Sequence, residues 1–200
     1  MTASQFTVRI VCSIVAFASL FAVSIRRAEP VQLPGADNYE SQSQYLLTFA
    51  EFIDWPALTV KQSVLPTINF CVLGHDPYGD SLDKAVLGHL VGERRTEVTR
   101  AHRLVDLGVC DVLFISSSEE KHEVAILKKL QKQDVLTVGD TSNFAAHGGI
   151  IQFVWEQNHL DFLINVDAAE RAHLKINASL LALAQIVHDE PVKTASGNVH

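Results

Sequence analysis

Cysteine is scarce in this chain, and motifs built on closely spaced cysteines are missing. Only three occur in 200 residues, Cys12, Cys71 and Cys110, and no two form a C-x-x-C pair. The nine histidines show no H-x-x-x-H or other ligand spacing, so a dedicated metal site is not expected. The sequence also lacks a Walker loop. Gly88-His89-Leu90-Val91-Gly92 fails the G-x-G-x-x-G pattern, and Gly139-Asp140-Thr141-Ser142 is not a G-x-S-x-G elbow. Nucleotide and serine-hydrolase chemistry are therefore not indicated, and no cofactor is expected. Basic residues are also short, 16 against 23 acids for a net charge of −7, which argues against nucleic acid as a partner.

Long apolar runs are absent apart from Ile10 to Ile25. That run is shorter than the roughly 20 residues of a membrane span and suits the h-region of an export signal. Ala22 and Ser24 supply small residues for cleavage, so residues 1–24 are read as a signal peptide and Cys12 as part of it. Arg26 and Arg27 follow the run, which leaves an uncleaved anchor as the alternative. The rest is long enough for one domain with its own core. Export would place Cys71 and Cys110 in an oxidising compartment, where a disulfide is favoured and would contribute roughly 4 kcal/mol in the chain-entropy account. Two buried free thiols are the other reading. A bond requires Cα atoms about 4.4–6.8 Å apart, which sequence cannot measure.

Residues 25–38 read as a linker, with Pro34 and Gly35 before a helix over Tyr39–Ile53. Tyr45, Leu46, Phe49, Phe52 and Ile53 form its apolar stripe, while Glu40, Gln42, Gln44 and Glu51 mostly face away. Strands are expected at Ile68–Leu73, Thr96–Ala101, Val109–Ile115, Val135–Val138, Ile150–Val154 and His159–Asn165, the last two joined at Asn158. Helices are expected over Ser81–Leu87, after Ser116 with Val124, Leu127 and Leu130 buried, and from Asn177, burying Leu180, Leu181, Leu183, Ala184 and Val187. Asn177-Ala178-Ser179 also fits a glycosylation pattern, but a cap is the simpler reading. Residues 191–200 are expected to be a disordered tail. This order predicts a single layered α/β domain over 39–190 with a mixed β-sheet flanked by helices.

Few residues invite chemistry. His75 beside Asp76 could transfer protons, and Ser142 sits in the Gly139 turn, yet both settings suit ordinary turns. Trp55 and Tyr78 are aromatic candidates for partner contact, and Trp55 equally suits closing the core.

Several segments together resemble the YfiR family of periplasmic regulatory proteins. They are Tyr45 to Pro56, Phe70 to Gly74 with Asp76 to Gly79, Cys110 to Ser116, Val135 to Asp140, Phe144 with Gly148 to Ile151, and Phe162 to Asn165 with Ala168 and Ala169. The resemblance implies a non-enzymatic periplasmic domain, often dimeric, that restrains an inner-membrane diguanylate cyclase and so lowers cyclic-di-GMP signalling and biofilm formation. A sensor kinase is another possible target, and an outer-membrane lipoprotein a further partner. It also implies a Cys71–Cys110 disulfide, while a second pair found in some relatives is absent, with Ala145 and Gln152 in that region. No partner-binding residue is assigned. The competing expectation is a periplasmic small-molecule-binding sensory module.

Overall fold

The computed structural model describes residues 36–55, 66–156 and 159–189. The leader expected at 1–24, most of the expected linker, the Asn158 turn and the tail lie outside the described residues. Helix α1 (Ala36–Glu51) leads to β1 (Ile53–Asp54), β2 (Thr67–Leu73), α2 (Asp80–Val86), β3 (Leu90–Val91), β4 (Arg94–Ala101) and β5 (Val112–Ile115). Then come α3 (Glu123–Leu130), β6 (Leu136–Gly139), β7 (Ile151–Glu156), β8 (His159–Asn165), α4 (Val166–Arg171), β9 (Lys175–Ile176), α5 (Ala178–Leu181) and β10 (Gln185–Val187).

Eight strands form one mixed sheet in the order β10-β8-β7-β6-β5-β2-β4-β3. β4, β2, β5, β6 and β7 run parallel in register, and β3 and β8 pair antiparallel with their neighbours. β1 and β9 make a separate ribbon, Ile53 opposite Ile176. The expected mixed α/β sheet flanked by helices is thus what the chain forms.

Alternation along the central strands sends side chains to two cores. Ile68, Phe70 and Val72 of β2, with Val112 and Phe114 of β5, join Leu46, Phe49, Leu82 and Val86 from α1 and α2. Cys71, Leu73, Leu113 and Ile115 point the other way, onto Ile126, Leu127 and Leu130 of α3. Asn69, the polar interruption in β2, is satisfied because its backbone and side-chain N–H groups both donate to Asp111 Oδ2, at 2.7 and 3.0 Å.

Several expected boundaries change. α1 begins at Ala36, inside the expected linker, and ends at Glu51, because Ile53 is drawn into the ribbon with β9. Gln42 of α1 is buried rather than outward-facing. β5 starts only at Val112, so Cys110 precedes the strand. In α3 Leu127 and Leu130 are buried as expected, but Glu123 joins them in place of Val124, which is 55% exposed. The expected C-terminal helix is one turn, capped by Asn177 accepting from the Ser179 N–H at 2.8 Å, after which the chain becomes strand β10. Leu183 is 75% exposed, and of the expected buried set only Leu180 enters the core fully.

Candidate functional site

The carboxyl ends of parallel strands are where open α/β sheets gather polar groups, and here the 140–149 loop after β6 is the best-defined such segment. Its fixings come from β6, β7 and β8. The Ala145 N–H donates to Gln152 Oε1 of β7 at 3.0 Å, and the Ala145 carbonyl accepts from Asn165 Nδ2 at 2.8 Å. Ile150 N–H donates to Thr137 Oγ1 of β6 at 3.0 Å. Asn165 also caps α4, its Oδ1 accepting from Ala168 N–H at 2.9 Å. The Phe144 ring lies between Gly139 and Gly149. A Cβ on either glycine would come within 2.4 and 2.1 Å of that ring, so both positions need hydrogen for steric reasons alone.

Under this loop lies Glu123, 1% exposed. Its carboxylate accepts from Thr141 Oγ1 and, at 2.7 Å, from His147 Nδ1. A buried carboxylate needs such donors. Asp140 sits on the other side of the turn, accepting from Tyr39 OH at 3.4 Å, while its Oδ1 has no hydrogen-bond partner. Burial first, then the nearby Glu123 charge, push the Asp140 carboxyl above the ordinary carboxylate range. Tyr39 is pushed up as well, by burial and by Asp140. Tyr78 is raised much further, chiefly by burial, and its OH donates to Gln42 Oε1 at 3.2 Å.

Cys71 and Cys110 are joined, S–S 1.99 Å and Cα–Cα 5.9 Å, inside the separation a disulfide requires. Beside the bond the 104–110 segment exposes Val105 (82%) and Val109 (78%). These large apolar side chains have no covering element among the described residues.

The residues singled out by sequence are dispersed. Asp76 is committed to Arg100 Nε at 2.6 Å and to the Tyr78 N–H at 2.8 Å, while His75 is exposed. Ser142 is also exposed, two residues from Asp140. Tyr78 is a core residue and leaves no surface for a partner. Trp55 packs at the core edge with its Nε1–H donating to the Ala50 carbonyl at 2.8 Å.

Sequence reading missed Glu123, although its spacing of four from Leu127 and seven from Leu130 puts it on their stripe. Its links to Thr141 and His147 span 18 and 24 positions and left no local signal. Among the described residues no three His, Cys, Asp or Glu side chains are grouped to hold a metal, and no helix is long and apolar enough to cross a membrane. A family model described as YfiR/HmsC-like matches residues 39–185, which takes in the cystine, the 140–149 loop and all but four of the residues described from Tyr39 onward.

Proposed function

Because the chain belongs to the YfiR/HmsC-like family, we propose that it is an envelope regulator that binds the periplasmic part of a membrane diguanylate cyclase and holds the cyclase inactive. The family match over residues 39–185 carries this reading. The cystine supports it, since such bonds persist outside the cytoplasm. In this reading residues 1–24 direct export and are removed, residues 39–190 form the regulatory domain, and Val105 and Val109 offer apolar anchors to the partner. Such a regulator needs only different affinities for two states of its partner, and no catalytic group. A sensor kinase as target, a homodimeric form and an outer-membrane lipoprotein as second partner are finer parts of the same proposal.

The test is crosslinking of the tagged full-length protein in the envelope of its native host, with captured proteins identified by mass spectrometry. Recovery of a membrane cyclase, together with higher cyclic-di-GMP when the gene is deleted, is the expected result. Capture of the chain's own copies alone and unchanged cyclic-di-GMP on deletion would remove the reading.

A further inference from the structure

A cleft beside the 140–149 loop carries chemistry that the binding of a protein partner does not require. α3, the turn at Ala146–Gly148, α4 and Asp189 enclose about 400 Å³, within the range of small-molecule sites. Its apolar side is Val124 and Leu127. Its polar side is Lys128, His147 and Arg171, with Asp189 the acid among the lining residues. In a chain of net charge −7 this is a local excess of basic groups.

The basic groups are not equivalent. Arg171 is bonded to Asp189, which also accepts from Asn165 Nδ2 at 3.0 Å, so this guanidinium is already fixed in place. Lys128 has no ion pair among the described residues. His147 has Nδ1 committed to Glu123, which leaves Nε2 as the nitrogen available to the cleft. Glu123, which holds the imidazole, also accepts from the Thr141 hydroxyl and lies near Asp140, while Lys128, Arg171 and Asp189 line the cleft with His147. With Nδ1–H given to Glu123, Nε2 donates to an anion only when both ring nitrogens carry hydrogen.

We propose that this cleft binds a small organic anion, with its apolar part on Val124 and Leu127 and its anionic group between Lys128, Arg171 and His147 Nε2. The proposal is independent of which protein the domain engages.

Titration calorimetry on the full chain tests it with benzoate and with phenyl phosphate. Acetate and inorganic phosphate serve as controls lacking the apolar part. The expected result is saturable binding of at least one aromatic anion, tighter than its control. Lys128→Ala and Val124→Glu, both at exposed positions, should each weaken it about tenfold, roughly one charge-assisted contact. Their melting temperatures should stay near that of the parent. The tighter aromatic ligand identifies the head group as carboxylate or phosphate. Absence of saturable binding, equal binding of the controls, or unchanged affinity in both surface variants would each overturn the proposal.

Discussion

The two faces of the sheet are built differently. Under α1 and α2, aromatic rings interlock: Phe49 lies 5.0 Å from Phe162 and 5.6 Å from Phe153, and Tyr78 meets Phe114 edge-on at 4.8 Å, measured between ring centroids. Under α3 the core holds one such ring, Phe144, with short aliphatic side chains and the Cys71–Cys110 bond. One eight-residue helix cannot bury what the 16-residue α1 and the seven-residue α2 bury together. The covalent bond therefore sits on the face that has least apolar packing, and polar bonds fix the loop beside it.

That contrast can be broken from either side. Phe114→Ala should cost about 4 kcal/mol, because it opens a cavity in the ringed core and removes the contact with Tyr78. Chemical denaturation would read the loss as a shifted midpoint at unchanged slope. Replacing Cys71 and Cys110 together by Ser should cost about 3 kcal/mol, and reducing the native protein should reproduce most of that loss. If the double substitution were neutral, the weaker face would not depend on its cross-link.

Gly149→Ala should cost about 2 kcal/mol by overpacking against Phe144, and Phe144→Leu in the same chain should recover part of it, a coupling that a double-mutant cycle measures. The smallest effect concerns the seam between the faces. The folded Asp140 carboxyl titrates above its unfolded value, so its contribution to stability is greatest below the ordinary carboxylate range and is lost as pH rises through the raised value. Asp140→Asn should therefore stabilise the protein at pH 7 by about 1 kcal/mol, the lower end of the cost of an unsatisfied buried group, with the gain shrinking in acid. Melting curves at two pH values would detect it.

What could be read from sequence follows the same division. β2 and β5 were legible because strands covered on both faces are continuous apolar runs, and α1 because its stripe repeats at three and four positions. The thinner regions misled. Leu180, Leu181, Leu183 and Val187 have helical spacing, yet the chain turns after one turn of helix because β8 offers a free edge that β10 fills. α4 gave no separate signal, since Asn165 ends a strand and caps a helix at one position. The Glu123, Thr141 and His147 cluster depends on loop closure between distant positions, which composition does not encode.

Ala145 and Gln152 are tied by a hydrogen bond, Gln152 Oε1 accepting the Ala145 N–H. One cystine therefore provides the oxidised chain with a single covalent loop of 39 residues. After denaturation that loop persists and reduces the hydrodynamic size of the polypeptide. On a non-reducing denaturing gel the oxidised form should therefore run ahead of the reduced form as one band, so its mobility reports directly whether the cystine of each molecule has closed.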